Sequence, residues 1–171
     1  MIDNQEFHTF RGYEIMENHK KLLSRSMEDY LEMIYRNSLE EGYTRINILA
    51  DSLNVQAPSV TKMVQKLGRL GLIQYEKYGI VKLSEEGKKI GSFLLNRHKI
   101  IEKFLRILGE EEQLLVNVEL IEHNVTLSAL NKIDMLNNFL ESDQELLRKF
   151  EKYRNSSQPG KNLKNHNINF K

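Results

Sequence analysis

The sequence predicts a mainly α-helical protein interrupted by one small β-hairpin, and three observations carry that reading. Only two prolines occur in 171 residues, while Glu, Lys, Leu and Ile are abundant, a composition suited to helices. Apolar residues recur at helical spacing between recognisable caps and stops. One stretch, Leu72 to Leu83, shifts to the alternating period of strands.

The elements follow in order. Residues 11–24 suggest a short, loosely amphipathic leader helix. Ser26 is the expected N-cap of the next helix, with Glu28 and Asp29 in its first turn. That helix carries Met27, Tyr30, Leu31, Ile34 and Tyr35 on one face and is expected to end near Glu41 and Gly42. A second helix is expected from Thr44 to Leu53, closed at Asn54. Pro58 and Ser59 open a third, with proline in the first turn where its missing N–H costs nothing, and Gly71 stops it. A hairpin with its turn at Gly79 comes next. Ser84 then caps a long helix to about Leu108, and two or three further helices reach Tyr153. The expected divisions are an extension over 1–25, a first folded module with the hairpin over 26–91, a helical domain over 92–154 and a polar, disordered tail over 155–171.

Composition excludes several function classes. With no cysteine, the chain has no disulfide framework, iron–sulfur centre or thiolate zinc site, so a metal must be held by oxygen and imidazole nitrogen. No apolar run approaches the ~20 residues of a membrane span, and the first residues lack a signal-peptide core. A cytoplasmic protein with no membrane partner is expected. The formal net charge of +1 hides a segregation: Val60 to Ile107 holds 11 basic and 4 acidic residues, Glu110 to Glu151 holds 3 and 10. A basic segment followed by an acidic one suggests one module for a polyanion and another for cations.

Two short helices, a turn and a hairpin, in that order, form the pattern of a winged helix-turn-helix. Ile48, Leu49 and Leu53 are expected to face Val60, Met63, Val64 and Leu67 across a shared core. The other face of the third helix, opened by Pro58, presents Ser59, Thr61, Lys62, Gln65, Lys66 and Arg69, groups that reach phosphates and base edges. The hairpin adds Lys77, Tyr78 and Lys82. Thr61 and Gln65 are expected to read bases, while the lysines supply salt-dependent affinity.

A second cluster lies outside that face. Asp29 and Glu32 are neighbours on one helix face, and Glu119, Glu122 and His123 form E-x-x-E-H on one side of a turn. Along the seam Leu115, Val118, Glu122, Val125, a carboxylate stands where a hydrophobe belongs, and burial there demands a partner. His98 shares a face with Leu94, Ile101 and Leu105. Four carboxylates and two imidazoles make an oxygen-rich set suited to Mn²⁺ or Fe²⁺, able to hold two ions through bridging carboxylates. There is no H-E-x-x-H, no paired E-x-x-H, no G-x-S-x-G and no phosphate-cradling glycine loop, so no enzyme is expected.

The strings S-M-E-D-Y-L-E-M-I-Y from Ser26, S-V-T-K-M-V-Q-K-L from Ser59, Y-E-K-Y from Tyr75, E-G-K-K-I-G from Glu86 and E-L-I-E-H from Glu119 resemble the diphtheria-toxin-repressor family. Within it the likeness is to the manganese-responsive, MntR-type regulators. The resemblance implies a homodimeric, metal-dependent repressor of metal-transport genes that binds operator DNA. Its winged helix is followed by a helical dimerisation domain, with a metal site between them. The implied ligands are Asp29, Glu32, His98, Glu119, Glu122 and His123, the six residues the face argument isolates. Iron-responsive members carry Met and Cys where this chain has Asp29 and Glu119, so Mn²⁺, two per subunit, is the expected cofactor, with Fe²⁺ and other divalent ions able to bind. An iron-responsive or metal-independent winged-helix regulator is the alternative. The wing departs from the family's Arg-Gly pair with Gly79-Ile80.

Overall fold

The structure is a computed structural model, and it describes residues 23–157. The leader helix expected over 11–24 lies almost wholly outside the described residues, as do His8, His19, His166 and the tail from 158 onward. Contacts divide the chain into two units between Lys99 and Ile100.

In the first unit, α1 spans Arg25–Asn37. Its N-cap is Ser24 rather than the expected Ser26: the Ser24 hydroxyl accepts from the Met27 N–H at 3.4 Å, and Ser24 has the extended backbone a cap requires. The helix also stops earlier than Gly42. The Ser38 N–H and hydroxyl both donate to the Ile34 carbonyl, at 3.1 and 2.6 Å, capping the helix end there. Met27, Tyr30, Leu31 and Ile34 form the buried stripe, and burial raises the pKa of the Tyr30 phenol, keeping it neutral.

Thr44 and Arg45, expected to begin a helix, instead form the short strand β1. Thr44 pairs with Val81 in an antiparallel ladder and is buried, an environment that suits its β-branched side chain. Helix α2 therefore starts later, at Ile46–Ser52. Ile46, Leu49 and Ala50 make its buried stripe, and Ile48, two residues round from Ile46, is 48% exposed rather than in the core.

Helix α3, Ala57–Arg69, has Pro58 in its first turn and buries Val60, Val64 and Leu67. Strands β2, Ile73–Tyr75, and β3, Ile80–Leu83, are joined through a 3₁₀ turn at Lys77–Gly79. The sheet order is β1-β3-β2, with Ile73 opposite Leu83 and Tyr75 opposite Val81. Leu31, Ile34, Leu49, Val60, Val64, Leu67, Leu72 and Val81 are fully buried, each contributing roughly 1.5–3 kcal/mol through burial.

Helix α4, Glu85–Leu108, is opened by Ser84, whose hydroxyl accepts from the Gly87 N–H at 3.0 Å. Two glycines of the E-G-K-K-I-G string allow close packing at its start. A Cβ on Gly87 would stand 2.0 Å from the Leu72 carbonyl oxygen, and one on Gly91 would stand 2.6 Å from the Tyr35 Cβ.

The second unit takes α4 from Ile100 onward, then α5, Leu114–Glu122, α6, Leu127–Glu141, and α7, Gln144–Ser156. Thr126 and Asp143 cap α6 and α7 with their side chains. On α5 the inward seam is Leu114, Val118 and Glu122, whereas Leu115, expected in that seam, is 64% exposed. Asn137 of α6 donates to the Ile100 carbonyl at 2.9 Å. Arg154 donates to the Ile107 carbonyl at 2.7 Å, satisfying an open group near the end of α4. Helix α7 continues to Ser156, so the first residues of the expected disordered tail are helical.

Glycine packing yields a test with opposite signs at two positions. Gly87→Ala is expected to lower unfolding free energy by about 3 kcal/mol through overpacking against backbone. Gly68→Ala, whose new methyl would meet only ordinary contacts at 3.8 Å or more, should raise it by about 0.5–1 kcal/mol. Urea denaturation of the two variants measures both.

Candidate metal centre and nucleic-acid interface

In the first unit, α1 and α4 carry the candidate ligands of their own part of the chain. Asp29, half-buried, and Glu32, buried, lie three residues apart on α1, and His98 is buried on α4. The Glu32 Oε1 stands 3.9 Å from the His98 Nδ1. It also accepts a hydrogen bond from the Arg36 Nη2 at 2.7 Å.

In the second unit, the remaining candidates sit together at the end of α5. His123 is the C-terminal cap residue of that helix. Its Nε2 is 3.8 Å from the Glu119 Oε2 and 3.8 Å from the Glu122 Oε1. The Glu122 side chain is 2% exposed and that of His123 6%, while Glu119 is exposed.

These separations test whether the residues suit a metal. A hydrogen bond needs a shorter approach than 3.8 Å. Two donors bonded to one ion at ~2.2 Å lie ~3–4.4 Å apart, so each imidazole–carboxylate gap fits a shared cation. The donor types agree: carboxylate oxygen and imidazole nitrogen, with no thiolate anywhere in the sequence, match Mn²⁺ or Fe²⁺ and exclude a soft-metal site. Sequence reasoning missed two residues beside these ligands. Glu28 and Arg97 form an ion pair at 2.9 Å, their side chains 11% and 4% exposed. Each is adjacent in sequence to a candidate ligand, Asp29 or His98. The only signal in the sequence was a carboxylate in a first turn and a basic residue on an otherwise inward face.

On the candidate DNA face, Pro58, Ser59, Lys62, Gln65, Lys66 and Arg69 of α3 are exposed. Thr61 is half-buried, and its hydroxyl donates to the Ala57 carbonyl at 3.0 Å. That backbone bond engages the group expected to read bases and makes Gln65 the better-presented amide on this face. On the wing, Lys77 is exposed, Lys82 pairs with Glu76 at 2.9 Å, and Tyr78 is 89% exposed with φ at 64°. A non-glycine residue held in the left-handed region at an exposed tip is uncommon. Arg45, absent from the sequence reading, stacks over the Tyr43 ring at 5.6 Å, and its Nη1 reaches the Tyr78 carbonyl at 3.5 Å.

The first unit is thus a winged helix-turn-helix, the architecture of a large class of DNA-binding regulators. The chain belongs to the iron-dependent repressor family. That family's N-terminal DNA-binding domain matches residues 22–81, and its metal-binding and dimerisation domain matches residues 84–150. The chain is 45% identical over 120 residues to the HTH-type transcriptional regulator MntR of Bacillus velezensis, covering 70% of this chain and 84% of that one. It is 44% identical over 131 residues to the regulator of the same name from Geobacillus thermodenitrificans, covering 74% and 93%. Among solved structures, the manganese regulator SloR is similar at 30% identity and a TM-score of 0.58, over 66% of this chain and 54% of that one. IdeR of T. acidophilum is similar at 28% identity and a TM-score of 0.55, over 62% and 51%. The chain therefore spans about half the length of these solved regulators. No helix among the described residues is long and apolar enough to cross a membrane.

The Glu28–Arg97 pair gives a prediction of its own. Arg97→Met removes one partner of a buried pair and leaves the other's charge poorly compensated, so unfolding free energy should fall by about 3 kcal/mol. Equilibrium denaturation of the metal-free protein measures it, and Glu28→Gln combined with Arg97→Met should recover part of the loss.

Proposed function

We propose that this protein is a manganese-dependent transcriptional repressor. It binds double-stranded operator DNA as a homodimer in the cytoplasm and controls metal-ion transport genes. Residues 26–91 serve DNA binding and residues 92–154 serve dimerisation and metal sensing. The observation that carries the reading is the buried imidazole–carboxylate pairing, His98 with Glu32 and His123 with Glu122, at separations suited to a shared cation, in a chain that also holds a winged helix.

The proposed ligands are Asp29, Glu32, His98, Glu119, Glu122 and His123, for two Mn²⁺ per subunit, with Fe²⁺ as a competitor. Bound there, the ion supplies the positive charge that holds mutually repelling carboxylates together. The ligand residues thereby settle into one arrangement, and Gln65 and the basic residues of α3 engage the operator from an ordered protein. Linkage then requires that operator DNA tighten metal binding in return. Pro58, Ser59, Thr61, Lys62, Lys66 and Arg69 line the recognition face, and Lys77, Tyr78 and Lys82 lie along the backbone from the wing. Self-association is supported by exposed apolar side chains on α5 and α6, including Leu115, Leu120, Met135 and Phe139, each 59–66% exposed in the single chain. The regulator has no catalytic role in this reading.

Two outcomes test it. The protein is titrated with Mn²⁺ and Fe²⁺ under anaerobic conditions against DNA from upstream of its own gene and of manganese-transporter genes. Mn²⁺ is expected to raise affinity for these fragments, and His98→Ala and Glu122→Ala should each abolish that stimulation while leaving a folded dimer. Full stimulation in either variant removes that residue from the ligand set. Gln65→Ala is expected to cost about 1–3 kcal/mol on the operator and little on random DNA; an equal loss on both contradicts a base-reading role.

A further inference from the structure

Arg36 bonds directly to a candidate ligand of the first unit, Glu32, yet neither the DNA-binding nor the metal-binding reading uses it. It lies in the last turn of α1, one turn beyond Glu32, with its side chain 42% exposed against 10% for the Glu32 carboxylate. The Glu32 oxygen that accepts its 2.7 Å bond is the same Oε1 that stands 3.9 Å from the His98 Nδ1. One carboxylate oxygen thus lies close to both a permanent guanidinium charge and the imidazole of a candidate ligand.

We propose that Arg36 sets the metal-sensing threshold by acting as a built-in competitor for the Glu32 carboxylate, lowering the affinity of the Glu32–His98 position for divalent cations. The proposal rests on the reading of Glu32 as a ligand. Arginine stays charged at every physiological pH, and a charge-assisted bond of this length engages the lone pairs a cation would need. Loading the site requires that the guanidinium either give up Oε1 or remain beside a doubly charged ion. Because the Arg36 side chain already reaches solvent, it can withdraw at little desolvation cost, so the effect is a moderate weakening and not a block. It acts on charge, so it shifts the affinity for Mn²⁺ and Fe²⁺ in the same direction and moves the set point rather than the selectivity. A lone i,i+4 pair at a helix C-terminus also stabilises the helix slightly, and that simpler role is what the experiment must separate.

The test measures the Mn²⁺ Kd of the full chain by electron paramagnetic resonance of the free ion, with Mn²⁺ as the only added ligand, for wild type, R36Q, R36K and E32Q. R36Q keeps a hydrogen-bond donor and removes the charge; its Kd should fall about tenfold, the scale of Coulomb repulsion between a single and a double charge a few ångströms apart in a water-like dielectric. R36K keeps the charge and should stay within about twofold of wild type, since charge is the operative property. E32Q should lose binding at this position. An unchanged or raised Kd for R36Q, with only a lower melting temperature of the metal-free protein, overturns the proposal and leaves a helix-stabilising arginine. Tightening in R36K equal to that in R36Q overturns the charge basis. If E32Q binds Mn²⁺ like wild type, the ligand reading itself fails and takes this proposal with it. If E32Q loses binding while R36Q does not tighten, the ligand reading stands and the role of Arg36 alone is refuted.

Discussion

Within the first unit, the organisation of the site depends on burying acidic side chains of α1 beside basic ones of α4. Glu28 and Glu32, one turn apart on α1, stand against Arg97 and His98, consecutive residues of α4. A buried carboxylate is costly unless a counter-charge or hydrogen bonds compensate it. The two pairs resolve that cost differently. Glu28 has a permanent, charge-assisted partner at 2.9 Å, whereas Glu32 has an imidazole at 3.9 Å and a partly exposed guanidinium at 2.7 Å. The first is a direct contact between opposite charges. The second keeps a 3.9 Å gap between imidazole and carboxylate, of the size a cation fills, beside a guanidinium that reaches solvent.

Adjacent residues thus differ in how closely their charges are matched: Glu28 and Arg97 meet at 2.9 Å, Glu32 and His98 only at 3.9 Å. The Arg97–Glu28 pair ties α1 to α4 beside the candidate ligands Asp29, Glu32 and His98. The glycines of α4 serve the same end. Gly87 and Gly91 bring the start of that helix against the Leu72 carbonyl and the Tyr35 side chain, closer than any Cβ would allow.

The candidate DNA-facing surface is organised separately. Val60, Val64 and Leu67 bury one side of α3 completely, which leaves its lysines, Gln65 and Arg69 on the other side free of any packing duty. The wing is steadied by backbone pairing of β3 on both edges and by Arg45, which reaches across to the Tyr78 carbonyl. Thr44 and Arg45 looked helical because the run from Thr44 to Leu53 is amphipathic at helical period. Tertiary pairing with Ile80 and Val81 draws the first two residues into the sheet, and the helix begins only where that ladder ends.

Residue chemistry and local period were enough to recover the helix, turn, helix, hairpin order, the long helix after Ser84, the polar face of α3 and a thiolate-free donor set. These depend on spacing along one element, and spacing is written in the chain. Contacts set by packing were not legible in the same way. Ile48 and Leu115 are apolar residues that the observed helix phases turn outward, and a shift of a single residue in phase is beyond what periodicity resolves. The Glu28–Arg97 pair joins residues 69 positions apart, and nothing local distinguishes those two charges from the many solvated ones. Arg36 and Glu32 are an ordinary i,i+4 pair in the sequence. Only the tertiary structure decides that the oxygen they share also faces His98, because that depends on where α4 crosses α1. The sequence alone determined which atoms were available to bind a cation and DNA; tertiary packing decided which charges were buried, and burial is what makes a partner obligatory for a charge.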